Sequence, residues 1–433
     1  MRQTRSRLLA VLCLAMQPCL AGAQTLPAAV REAMERNPEL GVALATVRAA
    51  EQQVVQARSG YFPTLDVLAS GGKEQVDNVG LRAQGLGNRT LTRDDVTVTA
   101  RQMLFDGFST SQKTTQQEWR LDSAKARLSE AMEDIAGRTV EAYLEVLRSV
   151  QLLDLARTNE QAHVVTLEKT QQRAQQKVGS QADVHQSQAR LAVARSQVVQ
   201  REGGVRDAEA RFVRLLGHVP RGPQSPASRP RLPAVEAQAV EEALAGNPTV
   251  KAALADLDAA TAGIEAARAA YMPRVDLELT GAKRNNTDGL TGSSSEGSAL
   301  VVFRYNAFRG GADQAVVREQ TERREAARDG LENARRAVGE AAVRAWVSLE
   351  SARSALPYLT QHVSSTMEVL QAYRAQFELG RRTLLDLLNA ENELFQARSN
   401  LASGDYAILL AEYRLLQVMG GLAPHFDAKF DAR

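Results

Sequence analysis

The chain contains one unit twice, and any fold must accommodate both copies. Ala29-Val30-Arg31-Glu32-Ala33-Met34-Glu35-Arg36-Asn37-Pro38-Glu39-Leu40 is matched by Ala239-Val240-Glu241-Glu242-Ala243-Leu244-Ala245-Gly246-Asn247-Pro248-Thr249-Val250, 210 positions on (29 to 239). At the same offset Tyr61-Phe62-Pro63 matches Tyr271-Met272-Pro273, and Asp66 matches Asp276. Further along, Phe105-Asp106-Gly107 resembles Phe308-Arg309-Gly310, and Val178-Gly179…Asp183-Val184 resembles Leu379-Gly380…Asp386-Leu387. Landmarks shared in order define a repeat, and a repeat decides architecture before any single element does. The copies cover residues 24–219 and 234–422, joined by a Pro-rich linker at 220–233, a composition typical of a boundary. Residues 423–433 form a C-terminal tail.

Each copy reads the same way. Two helices come first, at 26–36 and 38–59 in the first copy, with Asn37 placed to cap the second and Pro38 at its first position. Tyr61 and Pro63, like Tyr271 and Pro273, stop the helix and turn the chain into a strand. An aromatic there suits either a membrane-surface belt or simple packing under a turn. Strands are expected near 64–72, 95–105, 274–282 and 298–307. Val275-Asp276-Leu277-Glu278-Leu279-Thr280 alternates strictly, giving one oily face and one wet face. The intervening 71–94 and 281–298 are rich in Gly, Asn, Ser and Asp, as exposed loops are. A strand of about ten residues can cross a bilayer with its apolar side outward. A soluble hairpin packed on the helices is the plainer alternative, but so few strands could not cover so much helix.

Helices then run for most of the remaining length, at 109–177 and 181–217, and again at 311–379 and 383–420. Trp119, Leu128, Ile135, Tyr143, Leu147, Val150 and Leu153 mark an apolar seam, and an unbroken helix of this span is about 100 Å long. Pro357 should kink its helix, and Gly203-Gly204 marks a weak point or a close contact. Gly179 and Gly380 end helices by taking up positive φ. Around Gly380 the segment Phe377-Glu378-Leu379-Gly380-Arg381-Arg382-Thr383-Leu384-Leu385-Asp386-Leu387-Leu388-Asn389 is a tight turn carrying unexplained charges. The class is mainly α with a small β part. Four strands cannot close a membrane barrel, whose smallest examples have eight, so several copies must contribute, and a trimer is the natural count.

The remaining sequence limits function. Arg2, Arg5 and Arg7 precede the apolar run 8–15, and Ala21-Gly22-Ala23 is a cleavage signal, so residues 1–23 read as a secretory signal peptide. Both cysteines, Cys13 and Cys19, lie within it; Met16-Gln17-Pro18 is the wrong context for lipidation of Cys19. The mature chain therefore has no thiol chemistry. Removing three arginines takes the formal charge from +2 to −1, leaving no electrostatic footprint for nucleic acid. His163, His185, His218, His362 and His425 are scattered and read as helix-surface or terminal residues. No nucleotide loop, metal motif or nucleophile–base pattern is present, so neither an enzyme nor a cofactor is expected.

The duplicated N-P-x-[LV] helices, the Y-[FM]-P strand starts, the F-D-G and F-R-G-G exits and the G-R-R-T-L-L-D-L-L-N turn together resemble the TolC family of outer-membrane channel proteins. The resemblance covers nearly all of the mature chain. It implies a homotrimeric α-barrel topped by a transmembrane β-barrel, with most of its mass in the periplasm. It also implies a periplasmic end that is shut until an adaptor protein and an inner-membrane ABC or proton-driven exporter dock. In the family, charged residues after these turns narrow the entrance. Asp386 matches a ring aspartate and Asn389 stands where a second is common. Arg382 matches an arginine that ties the second-copy turn to Asp183, and Phe377 replaces a tyrosine. The first turn looks shorter, since Asp183 follows Gly179 by four positions and Asp386 follows Gly380 by six. The first-copy turn also resembles family members that serve type I secretion of large adhesins. Helix capping is the bland reading of all these residues, and a periplasmic coiled-coil adaptor without a pore is the alternative function.

Overall fold

The computed structural model describes residues 24–226 and 229–427; the expected signal peptide with its two cysteines, and residues 428–433 of the tail, lie outside them. Helices α1 (Leu26–Arg36) and α2 (Pro38–Arg58) meet at Asn37, whose side chain accepts the Glu39 N–H at 2.9 Å. Helices α6 (Glu236–Gly246) and α7 (Pro248–Arg268) repeat the device, with Asn247 accepting the Thr249 N–H at 2.8 Å. Each pair closes with a single 3₁₀ turn, Ser59–Tyr61 or Ala269–Tyr271, ahead of a strand.

Strands β1 (Thr64–Val76), β2 (Arg89–Phe105), β3 (Arg274–Asn285) and β4 (Ser293–Arg304) form one antiparallel sheet in chain order. The register sorts its faces. Leu65 lies opposite Ala100 and Val67 opposite Val98; Ala100 pairs on to Leu279, Leu277 to Val301 and Val275 to Phe303. The alternate positions pair Asp66 with Thr99, Arg101 with Glu278 and Thr280 with Ser298. On this second face Arg274 and Arg304 each reach Asp276 at 2.9 Å, while Arg304 and Arg101 hold Glu278 at 2.6 and 3.0 Å. A buried carboxylate such as Asp276 needs both partners, because an unpaired charge there is costly.

The strands run further than their alternation indicated, continuing through 73–76, 89–94, 283–285 and 293–297, while β4 stops at Arg304 rather than 307. In these extensions ion pairs replace apolar pairs across the strands: Arg93–Glu74 at 2.8 Å and Arg284–Glu296 at 2.7 Å. Loop-like composition therefore hid strand. The true connections are 77–88 and 286–292. The first carries α3 (Val79–Ala83), whose Leu81 is buried against Gly289, where an added Cβ would lie 2.4 Å from a Leu81 methyl.

At the strand-to-helix exit Asp106 accepts the Thr110 N–H at 2.8 Å and its hydroxyl at 2.6 Å, opening α4 (Ser109–Gln175). Gly107, at φ 67°, leaves room for the next copy, since a Cβ there would sit 2.5 Å from the Met272 Cβ. Helices α5 (Gln181–Leu216), α8 (Ala312–Glu378), α9 (Leu384–Val418) and the short α10 (Leu422–His425) follow. Both α4 and α8 have 67 residues, and they start 203 positions apart (109 to 312). The offset falls from 210 to 203 because the stretch from strand start to helix start is seven residues longer in the first copy, 64–108 against 274–311.

Helix α8 runs through Pro357 unbroken. Pro357 is exposed, so the carbonyl that it leaves unpaired can turn to water. Helix α5 likewise continues through Gly203-Gly204, and nothing lies within 4 Å of where their Cβ atoms would be. The expected close contact occurs instead at Gly137, where a Cβ would meet the Gln417 amide at 2.5 Å. Of the apolar seam, Ile135 and Tyr143 are fully buried, while Trp119 and Val150 are exposed.

The chain divides into two compact units, one formed by residues up to 32 with 139–229 and 359–406, the other by 33–138, 230–358 and the residues from 407. Each unit draws on both copies, so the duplicated sequence unit is not the packing unit. In the second, Ala243, Val250, Leu331, Val338 and Ala342 form one apolar cluster, and Ala239, Leu349, Ile408, Ala411 and Leu415 another. There the buried Glu133 carboxylate accepts the Leu422 and Ala423 N–H groups at 3.1 Å each, fastening the start of α10. Burial pushes this carboxyl up to about 7, opposed by those two bonds. A raised folded-state value contributes stability that is present below 4.5, the ordinary value, and lost as pH climbs towards about 7. The swing is roughly 3 kcal/mol. Thermal unfolding of the parent should thus show stability falling across that window, and Glu133→Gln should flatten the slope.

Candidate functional site

Both helix reversals lie in the first unit and have the same construction. In the second copy Gly380 takes φ 71°, its N–H bonds the Phe377 carbonyl at 3.0 Å, and the Arg381 N–H bonds the Gln376 carbonyl at 2.8 Å. That is a Schellman ending. In the first copy the left-handed residue is Lys177, at φ 59°, with Lys177 N–H to Ala174 at 3.1 Å and Val178 N–H to Arg173 at 2.9 Å. Gly179 does not take positive φ. It packs closely instead, since a Cβ there would lie a tight 3.2 Å from the Arg173 Cβ.

New helix starts follow at matching positions. Thr383 Oγ1 accepts the Asp386 N–H at 3.3 Å and donates to Asp386 Oδ2 at 2.8 Å. Ser180 caps α5, and its own N–H donates to Asp183 Oδ2 at 3.3 Å, completing a capping box. From the left-handed residue to the aspartate is six positions in each copy (177 to 183, 380 to 386). The first turn is therefore not shorter, and Asp183 and Asp386 are structural equivalents.

The remaining expected residues are placed differently from the family pattern. Within the chain Arg382 does not reach Asp183: its Nε lies 3.5 Å from Asp386, and its guanidinium sits 3.9 Å from the Tyr373 ring centroid. Phe377 is buried, with the Arg173 guanidinium 4.8 Å over its ring and Arg173 Nη1 donating to its carbonyl at 3.0 Å. Asn389 accepts from Arg190 at 3.1 Å, and Lys169 reaches Glu378 at 2.8 Å. The first-copy hairpin, α4 with α5, is thus tied to the second, α8 with α9, by Arg173, Arg190 and Lys169, none of which the sequence singled out. At the strand starts Tyr61 and Tyr271 are 45% and 47% exposed, ahead of Pro63 and Pro273, so they are not packed away under a turn.

A buried polar layer lies beside these ties. The Glu391 carboxylate accepts from Thr166 at 3.1 Å and from Arg374 at 3.2 Å, with His163 Nδ1 at 3.4 Å. Thr170 donates to the Thr166 carbonyl at 2.7 Å, and Ser187 reaches Thr170 at 3.4 Å, so the layer crosses α5, α4, α9 and α8. Burial raises the Glu391 carboxyl, with Arg374 opposing, and burial lowers His163, helped by Arg190. His163 is only 4% exposed, which corrects its reading as a surface residue. A polar residue recurring on the inward stripe of a long helix, as Thr166 and Thr170 do, is the pattern that could have marked this layer. Among the described residues no group of His, Cys, Asp and Glu is arranged to hold a metal.

The family model of the outer membrane efflux protein matches residues 29–218 and 239–421, one block within each copy. The chain belongs to the outer membrane efflux protein family. Protein CyaE of Bordetella pertussis is 30% identical over 381 residues, covering 86% of this chain and 78% of its own. Outer membrane efflux protein BepC of Brucella suis is 26% identical over 399 residues, covering 92% and 85%. The fold matches the outer-membrane channel OprN with a TM-score of 0.81 at 23% identity, over 92% of this chain and 90% of that one. The chain is accordingly an outer-membrane efflux or secretion channel, and the adaptor reading falls away.

Equivalence of the turns has a direct test. Lys177→Gly should relieve the left-handed strain and stabilise the first turn by up to about 1 kcal/mol, whereas Gly380→Ala should weaken the second by a similar amount. Hydrogen exchange at the Val178 and Arg381 amides reads the two effects, which should have opposite signs.

Proposed function

We propose that the chain is a passive exit duct of a tripartite export machine, working as a homotrimer that is gated at its periplasmic end. The sheet carries this reading. One of its faces is apolar, the other holds Arg101, Arg274, Arg304, Asp276 and Glu278, and strands β1 and β4 are unpaired edges. In lipid such edges must be closed, and three copies supply twelve strands, above the minimum of about eight. Exposed Tyr61, Phe62, Tyr271 and Phe308 at the strand ends suit the lipid interface. Among the described residues no helix is long and apolar enough to cross a membrane.

Threefold repetition makes Asp386 and its equivalent Asp183 into acidic rings at the helix reversals, with Arg382, Asn389 and Phe377 beside them. The sequence has no nucleotide motif, so the energy comes from an inner-membrane ABC or proton-driven exporter joined through a periplasmic adaptor. The cargo is either small molecules or secreted protein.

Heat-resistant trimers in outer-membrane fractions, with single-channel conductance after reconstitution, are the expected result. A soluble periplasmic monomer would overturn the reading. Asp386→Asn keeps the cap acceptor but removes charge, so it should weaken block by divalent cations while leaving trimer melting unchanged. On the sheet, Val301→Arg should cost about 2–4 kcal/mol on the lipid side, whereas Thr280→Arg on the other face should be tolerated. Trimer melting in detergent distinguishes the two.

A further inference from the structure

In the first unit the second-copy hairpin differs sharply between its interior and the seam that joins it to the first. Within the second-copy hairpin Leu370, Phe377, Leu384, Leu387, Leu388, Ala390 and Leu394 pack as one apolar cluster drawn from α8 and α9 alone. Across the seam the named ties are polar: Arg173 to the Phe377 carbonyl, Lys169 to Glu378, Arg190 to Asn389 and Thr166 to Glu391. A groove of about 510 Å³ follows the same seam, lined by Val165 and Thr166 on one side and Leu370 and Arg374 on the other. Next along α4 an apolar cluster does cross it, formed by Ala156, Val198 and Phe395. The second-copy hairpin is thus held together by burial of apolar surface, while near the turns its ties to the first are groups that water can replace.

Among the described residues Glu391 is a seam carboxylate almost entirely removed from solvent, with its side chain 2% exposed. Its partner Arg374 is half exposed, so the pair adds little net stability, while the buried carboxylate still needs its donors because an uncompensated buried charge is costly. Such a group fixes register without fastening the seam irreversibly. We propose that Glu391, held to α4 by Thr166 and to α8 by Arg374, is a positioning residue of the gate. It is a latch that keeps the second-copy hairpin in register with the first and gives way, with the groove beside it, before the Ala156–Val198–Phe395 cluster does. The inference rests on the gated reading above and locates the resistance to opening inside the helix seam rather than only at the turns.

The test is single-channel conductance of the reconstituted full-length trimer, with trimer melting measured on the same samples. Glu391→Ala leaves the buried Thr166 hydroxyl without its acceptor and releases Arg374 to water, and should raise conductance severalfold. Glu391→Leu with Thr166→Val replaces the polar tie by apolar contact that opening would have to expose. That pair should conduct no more than the parent while melting at the same temperature or higher. A purely structural residue would move melting in both variants without this opposite pattern in conductance. Should Glu391→Ala fail to assemble, Thr166→Val alone removes one donor and should give a smaller rise. Parent-like conductance in an assembled Glu391→Ala or Thr166→Val trimer overturns the latch. Asp386→Asn run in parallel separates the two ideas. Altered cation block with parent-like Glu391→Ala leaves the gate standing without the latch, and parent-like behaviour in both removes the gate as well.

Discussion

A sheet with two free edges cannot rest in a bilayer, and much of this molecule follows from that constraint. Each unpaired N–H or C=O in hydrocarbon costs several kcal/mol, so β1 and β4 require neighbours. Their own chain cannot supply them, because β2 and β3 already lie between. Closure by further copies, as the proposed trimer supplies, would also give the ionic face a purpose. Asp276 sits between two arginines, Arg274 and Arg304, a cluster that is tolerable only where it is shielded from lipid. In the proposed trimer, symmetry would act on every other element, since a lone surface charge in one chain would become a ring in the assembly.

The helical parts answer a different requirement. A channel that must be shut and yet open cannot have a uniformly apolar interior, because about 25 cal/mol per Å² would resist every separation. The polar seam between α4–α5 and α8–α9 lowers that resistance locally, while the apolar cluster inside α8–α9 keeps the moving part intact. Buried Thr166, Thr170, Ser187 and Glu391 would be poor choices for strength alone. They specify alignment.

Much of this was legible in the sequence. The Asn-Pro caps, the four amphipathic strands, the long helices and the two reversals each follow from local chemistry that depends on few distant partners. What failed depended on geometry that composition disguises. Gly179 drew attention as the left-handed residue because glycine usually takes that role, yet Lys177 takes it and shifts the alignment by two positions. The strand ends read as loops because Glu74, Arg93, Arg284 and Glu296 pair across strands without an apolar pattern. Arg382 was expected at Asp183, but a cation can satisfy itself with whichever ring or carboxylate its own helix turn presents, here Tyr373 and Asp386. His163 and Glu391 lay on long helices that carry charge at almost every turn, where spacing shows a face but not what covers it.

The duplication itself explains why the compact units ignore the boundary between copies. Two copies of one amphipathic unit present similar apolar stripes, so each can bury its stripe against the other as well as against itself. Once that happens, segments at equivalent positions in the two copies become neighbours, and contacts gather by level along the helices rather than by order in the chain. The turns then mature as a matched pair, with Asp183 and Asp386 each six residues past the left-handed position. The seam between them is free to diverge, because only one copy needs to contribute the carboxylate and the other the hydroxyl. Glu391 and Thr166 meet on those terms: equivalent hairpins, unequal side chains, and a contact that neither copy could make alone.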